Sequence, residues 1–259
     1  MEVVIVPDAE AAAEAAGQVL VDTLRSHAAP VVGLATGSSP LGAYRHVLAS
    51  GVSLGHATAV LLDEYVGLPA GHPESYRTFI AREFTAHTDL PPDRLYGPDV
   101  WVPGVDLPAA CAAYEALLVD LGGVDVQVLG IGTDGHLAFN EPGSSLASRT
   151  RVKTLTDATR ADNARFFGGD IDQVPRHVVT QGLATIGAAR HLLLIATGAG
   201  KAAPVAAAVE GPVTAMCPGS VLQLHPHATV VIDDAAAADL RLGDYYRETY
   251  AHKPPWQGL

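Results

Sequence analysis

Short β-branched runs alternate with alanine-rich stretches along the whole chain, and this alternation limits the fold more than any other feature. The runs are EVVIV (2–6), VVGLA (31–35), TAVLL (58–62), VDVQVLG (124–130), HLLLIA (191–196) and ATVVI (228–232). Each is apolar at successive positions, as expected of strands covered on both faces. Between them lie helical stretches: the one after Asp8, which is placed as an N-cap, then LGAYRHVLAS, PESYRTFIAREFTAH, DLPAACAAYEALLVDL and AGKAAPVAAAVE. Such strands separated by helices predict an α/β, doubly wound, mostly parallel sheet flanked by helices, a Rossmann-like architecture. Residues 132–180 lack clear periodicity and are expected to hold functional loops. No stretch reads as a linker, so the expectation is a single domain over 1–259.

Composition narrows the partners. A 259-residue chain with 48% hydrophobic residues and a mean hydropathy of +0.20 can bury a sizeable core. The net charge of -12 argues against nucleic acid and anionic membrane as partners. It leaves room for a small anion held by a few cations and backbone N–H groups. Cys111 and Cys217 lack metal-type spacing and read as buried thiols of a reducing compartment. MEVVIVPD has no basic leader, and no apolar run approaches the ~20 residues of a membrane span. A soluble, cytoplasmic protein is expected.

Ligands of open α/β sheets bind beyond the carboxyl ends of the strands, so the residues directly after each apolar run form one list. They are Thr36-Gly37-Ser38-Ser39, Asp63-Glu64-Tyr65, Gly132 to Gly143, and Thr197-Gly198 with Lys201. Backbone N–H groups and hydroxyls of the first loop suit a phosphate, or else cap the helix that follows. Asp63 or Glu64, partly desolvated at a strand end, suits a base acting on carbon, or else caps the next turn.

GIGTDGHLAFNEPG (130–143) has the spacing of a dinucleotide-binding loop. That function needs a helix opening at the third glycine, whereas Pro142 and Gly143 cut the chain short. Asp134 would also set a negative charge against the pyrophosphate. The glycines fit better as hinges of a tight loop presenting Asp134, His136 and Glu141. A histidine between carboxylates suits proton transfer, because a carboxylate fixes its tautomer and raises its affinity for a proton. A histidine satisfied within a turn is the plain alternative. Asp134 and His136 as metal ligands would still lack a third partner. HPH at 225–227 precedes a strand and reads as a turn.

DEYVGL, GIGTDGHLAFNEPGSSLASRTRVKTLT, RFFGGDIDQVP, GKAAPVAAAVEG and LQLHP, in this order and over nearly the full chain, resemble the glucosamine-6-phosphate deaminase family. The resemblance implies conversion of glucosamine 6-phosphate and water to fructose 6-phosphate and ammonia, without metal or organic cofactor. It assigns ring opening to His136, tuned by Asp134 and Glu141, and proton transfer from C2 to C1 to Asp63. The phosphate is expected on Thr36, Gly37, Ser38 and Ser39, with Arg165 and Lys201 as counter-charges. The stretch from about 155 to 175 resembles a mobile lid. Ser144, Arg151, Lys153 and Thr154 match positions that bind the effector N-acetylglucosamine 6-phosphate in allosteric members. A homo-oligomer, by resemblance a hexamer, follows from the same comparison. The chain departs from the family at Val60-Leu61-Leu62, where relatives read Phe-Asn-Met, and at Cys217-Pro218-Gly219-Ser220, where they carry an aromatic-led segment. A 6-phosphogluconolactone hydrolase shares the fold and the loop around His136, but LAFNEPG with Glu141 follows the deaminase pattern. A non-catalytic sugar-phosphate sensor would be expected to lack Asp63 or His136, or to carry a DNA-binding helix pair.

Overall fold

The computed structural model describes every residue except 103 and 255, together with all side chains within helices and strands except those at 158 and 162. Each of the six apolar runs forms a strand: β1 (Glu2–Val6), β2 (Val31–Leu34), β3 (Thr58–Leu61), β6 (Val126–Leu129), β9 (His191–Ala196) and β10 (Ala228–Asp233). With the short β5 (Leu95–Tyr96) they make a seven-stranded sheet in the order β1-β10-β9-β6-β2-β3-β5, parallel at every pairing. Helices α1 (Ala9–Ser26), α2 (Leu41–Ser50), α3 (Tyr76–Glu83), α4 (Leu107–Asp120) and α7 (Ala202–Glu210) occupy the alanine-rich stretches. Asp8 caps α1 as expected, accepting from Ala11 N at 2.9 Å. The helix expected over 73–87 is shorter: Ser75 caps α3, and Phe84, with φ −143 and ψ −69, ends it in a 3-10 turn.

The aperiodic stretch after Gly132 is more regular than its sequence suggests. β7 (Arg151–Thr154), α5 (Asp157–Asn163), β8 (His177–Thr180) and α6 (Leu183–Ile186) lie within or just beyond it. β4 (Asp63–Tyr65), β8 and β7 form a second, antiparallel sheet in the order β4-β8-β7. Their strands are too short for periodicity to mark them. A last helix, α8 (Gly243–Ala251), packs near β1.

One apolar cluster fills both faces of the large sheet, running from Val3 through Leu129 and Leu193 to Ile232. A separate small cluster joins Tyr65 and Phe139 to Leu155, Phe167 and Val174. The stretch expected to be a lid thus has an apolar core of its own. The path of the chain also selects a place for chemistry. From β2 it moves outward through β3 to β5, then returns to β6 on the other side of β2 and proceeds through β9 to β10. The order reverses between β2 and β6, so their carboxyl ends diverge into a crevice. The Thr36 loop and the Gly130–Gly143 loop leave from those ends.

Candidate active site

Asp63 and Glu64 are both buried, yet their surroundings differ. Glu64 accepts from Ser75 Oγ at 2.8 Å and from the backbone N–H groups of Tyr65, Tyr76 and Arg77 at 2.9 to 3.0 Å. It is therefore the carboxylate that caps a turn, holding the start of α3. The Asp63 side chain is 6% exposed and has no hydrogen-bond partner among the described residues. Burial, and secondarily the charge of Glu64, hold its pKa well above the carboxylate range. Its backbone is fixed regardless: Asp63 pairs with Thr180 across the small sheet, and Gln181 N donates to Leu62 O at 2.7 Å. A rigidly placed carboxylate with free lone pairs in an apolar setting is suited to taking a proton from carbon.

In the glycine loop, Asp134 Oδ1 accepts from the His136 backbone N–H at 3.1 Å and lies 2.6 Å from its ring Nδ1. The carboxylate places the proton on Nδ1 and leaves Nε2 with a free lone pair. The two side chains are 40% and 46% exposed, so this pair faces solvent while Asp63 does not. Gly132 is required beneath the ring: a Cβ there would lie 2.1 Å from His136 Cε1. Ala138, with φ 51, is the one described non-glycine residue in the left-handed region, at the turn that Asn140 N closes onto Leu137 O. Thr180 Oγ1 accepts from Phe139 N at 3.3 Å, so β8 touches both the Asp63 strand and the His136 loop. Glu141 does not join the Asp134–His136 pair here; its carboxylate accepts from Thr159 Oγ1 of α5 at 2.7 Å.

The Thr36–Ser39 loop is not an ordinary helix cap. α2 begins at Pro40 with no side-chain cap, and the hydroxyls of Thr36, Ser38 and Ser39 have no partner among the described residues. Gly37 has φ 94, turning the loop away from the strand. Lys201 Nζ donates to Ile131 O at 2.6 Å, at the root of the His136 loop. Burial lowers its pKa and the nearby Asp134 opposes that shift. Arg165 is exposed with its guanidinium 4.7 Å above the Phe166 ring, and no contact places it beside Lys201 or the Thr36 loop. Of the effector candidates, Arg151 and Lys153 share a face of β7, whereas Ser144 is buried with Oγ unpartnered.

Several contributors carry no sequence signal of their own. Asp233 ends β10 and accepts from Gly198 N through both carboxylate oxygens at 2.9 Å, fixing the loop that leads to Lys201. Asn163 Nδ2 donates to Tyr65 Oη at 3.1 Å, tying the expected lid to the Asp63 strand. His225 of HPH bonds Ala189 O and His227 O, as a structural turn residue does. No group of three or more His, Cys, Asp or Glu with metal-site geometry occurs among the described residues. A cavity of about 320 Å³ lies at the opposite, amino ends of the strands, among Asp22, His27, Asp125, Arg190, His191 and His227.

An open parallel α/β sheet thus carries the Thr36 loop, the buried Asp63 carboxylate and the carboxylate-held His136 imidazole beyond the carboxyl ends of β2, β3 and β6, the arrangement of an α/β protein with a small-ligand site. The family model described as glucosamine-6-phosphate isomerases/6-phosphogluconolactonase matches residues 8–232, and the chain belongs to that family. It is 59% identical to a glucosamine-6-phosphate deaminase of Beutenbergia cavernae and 58% identical to one of Streptomyces coelicolor, over 100% of each chain. Among solved structures, a monomeric glucosamine-6-phosphate deaminase superposes with a TM-score of 0.87 at 40% identity, covering 92% of this chain and 100% of that one. A 6-phosphogluconolactonase from Trypanosoma brucei, 22% identical, shares the fold with a TM-score of 0.70 over 92% of this chain and 98% of that one.

Proposed function

We propose that this chain converts glucosamine 6-phosphate and water to fructose 6-phosphate and ammonia. Full-length identity of 58–59% with curated deaminases supports the reaction. Asp63 is the observation that carries it within a family of two chemistries. Lactone hydrolysis activates water and needs no carbon base, whereas moving a proton from C2 to C1 requires one that is desolvated and fixed.

The division of labour follows from the two environments. His136 Nε2 takes the proton of the anomeric hydroxyl and returns it to the ring oxygen, opening the pyranose. Asp134 keeps Nδ1 protonated and stabilises the imidazolium formed in passing. Asp63 then removes the C2 proton while a proton of the C2 ammonium passes to O1, giving the enolamine, and delivers its proton to C1; water adds to the resulting C2 iminium and ammonia departs. The phosphate sits on Thr36–Ser39 and the start of α2, with Lys201 and, on closure of the 155–175 lid, Arg165 as counter-charges. Thr159 and Asn163 of α5 already bond Glu141 and Tyr65, which supports a lid seated over the site. N-acetylglucosamine 6-phosphate is proposed to bind at Arg151 and Lys153, and a homo-oligomer would set that site at an interface.

The test is ammonia release from glucosamine 6-phosphate by the purified protein, against its Asp63→Asn and His136→Gln variants. Release by wild type with both variants depressed at least a hundredfold is expected, in keeping with the ~10²–10⁴ contributed by acid–base groups. Hydrolysis of 6-phosphogluconolactone without ammonia release would reject the proposal. Rate curves that coincide with and without N-acetylglucosamine 6-phosphate would reject the effector alone.

A further inference from the structure

Four glycines lie between Gly130 and Gly143, a composition that leaves a chain mobile. The His136 ring must nonetheless stay in place if its nitrogen is to meet a sugar oxygen. Bonds inside the loop, Gly132 N to His136 O at 2.9 Å and Gly135 N to Gly132 O at 3.1 Å, shape the turn without fixing it to the body. Lys201 Nζ on Ile131 O and Thr180 Oγ1 on Phe139 N tether the loop at its root and beyond the turn; the contacts nearest His136 itself come from Thr214–Ser220, far away in sequence.

We propose that Ser220 is a positioning residue for His136, acting through a closed loop that clamps the histidine-bearing turn on both sides. Ser220 is fully buried, and its Oγ accepts from Thr214 N at 2.9 Å and donates to Thr214 O at 3.1 Å. One hydroxyl thereby joins the two ends of the loop, with Cys217 N donating to Thr214 O and Ser220 N to Cys217 O between them. From this ring two bonds reach the catalytic turn. Gly219 N donates to Gly135 O at 2.8 Å, one residue before His136, and Gly143 N donates to Ala215 O at 2.8 Å, two residues after Glu141. Cys217 Sγ fills the space against Gly135, where a Cβ would lie 2.7 Å away. Removing the Ser220 hydroxyl releases Thr214 from the ring, and with it the spacing between Ala215 and Gly219 that grips the turn. Asp63 is held by the small sheet, and among the described residues the Thr36 loop bonds neither the His136 turn nor Thr214–Ser220, so phosphate binding and carbon chemistry are spared.

This inference rests on the proposed reaction for its kinetic readout but not for its structural one. Two rates are compared in Ser220→Ala: deamination of the cyclic amino sugar, and exchange of the C1 proton of open-chain fructose 6-phosphate. Their ratio is independent of the fraction of folded protein. It is expected to fall about tenfold with KM for the sugar phosphate unchanged, since small misplacements of a reacting group carry such factors. In a ¹³C-histidine sample, the His136 Cε1–H resonance, assigned by its loss in His136→Gln, is expected to shift or broaden while the other histidines keep theirs. Cys217→Ala, which leaves the Ser220 bonds intact, should move both readouts in the same direction to a smaller extent, and decides the matter if Ser220→Ala does not fold. An unchanged His136 resonance, or a uniform change in all histidines with an unchanged ratio, overturns the clamp. Absence of ammonia release by wild type would reject the reaction instead, and the resonance would still judge the clamp.

Discussion

Asp63→Asn should abolish deamination and, at the same time, make the protein more stable at neutral pH. The residue is buried with no hydrogen-bond partner among the described residues, so its charged form is largely removed from water without compensation. An unfolded aspartate releases its proton near ~3.9; folded Asp63 holds its proton to a much higher pH because of burial and the neighbouring Glu64. Below the unfolded value both states are protonated, and aspartate and asparagine differ little. As pH rises above it, the unfolded chain sheds a proton that the folded chain retains, so folding is penalised increasingly until the folded group also ionises. Asparagine removes that penalty. Each tenfold rise in proton affinity on folding adds about 1.4 kcal/mol to this penalty, which for a domain of this size is roughly 3–6 °C in Tm. The assay is thermal or urea unfolding of both proteins from pH 4 to pH 8, beside the ammonia assay. The gain should be near zero at pH 4, grow with pH and then level off, while turnover falls about 10³-fold or more. A variant less stable than wild type at pH 8, or a gain that does not depend on pH, would mean that the carboxylate is satisfied in the fold and refute its reading as a free base.

Gly132→Ala places a methyl 2.1 Å from the His136 ring, so the ring must move; kcat should drop about a hundredfold with KM little changed, and a KM-only effect would contradict the packing. Lys201→Ala and Arg165→Ala should each raise KM for the phosphorylated sugar about ten- to a hundredfold, from the ~1.5–3 kcal/mol of a charge-assisted hydrogen bond; unchanged KM in both would place the phosphate elsewhere. Burial, with His227, His225 and Lys253 nearby, pushes the His191 pKa down to about 4. The unfolded ring therefore gains a proton first, and stability should fall as pH drops from about 6.5 toward 4. The loss is about 1–2 kcal/mol, because partial screening reduces the full linkage value; urea titrations showing the same acid slope in His191→Gln would exclude His191 as its source.

The large sheet was legible because its strands are buried on both faces, and a fully apolar run of four to six residues between helices has few other uses. Asp63, Asp134 and His136 were legible by place, each following such a run. The small sheet was not. DEY, RVKT and HVVT are three- and four-residue strands of mixed polarity, and what pairs them is their position around the Asp63 strand rather than their composition. The roles of neighbouring carboxylates were also hidden: nothing in DEY says that Glu64 holds α3 while Asp63 remains free. That distinction exists only once Ser75 and the first amides of α3 have been brought to Glu64. Glu141 likewise reads as a partner of His136 by proximity in sequence, yet Thr159 takes its carboxylate in the fold.

Three departures from ordinary folding rules lie close together: among the described residues the Asp63 carboxylate and Asn140 Oδ1 have no partner, and Ala138 occupies a backbone region that favours glycine. All three lie on the two segments joined by Thr180, between the Asp63 strand and the His136 turn. Other carboxylates are fully bonded, Glu64 by four donors and Asp233 by Gly198 and Ala236, while Gln127 Oε1, Ser144 Oγ and Thr150 Oγ1 are further buried atoms without a partner among the described residues. On the proposed reaction, a buried Asp63 and a His136 facing water suit two separate stages of proton transfer. A carbon acid demands a base stripped of solvent, whereas a sugar hydroxyl is served by an imidazole that water can reach. Asp63 follows β3 and the His136 loop follows β6, on either side of β2 and its Thr36 loop, an order in which the proposed reaction would keep the phosphate in the middle while each group acts on the sugar.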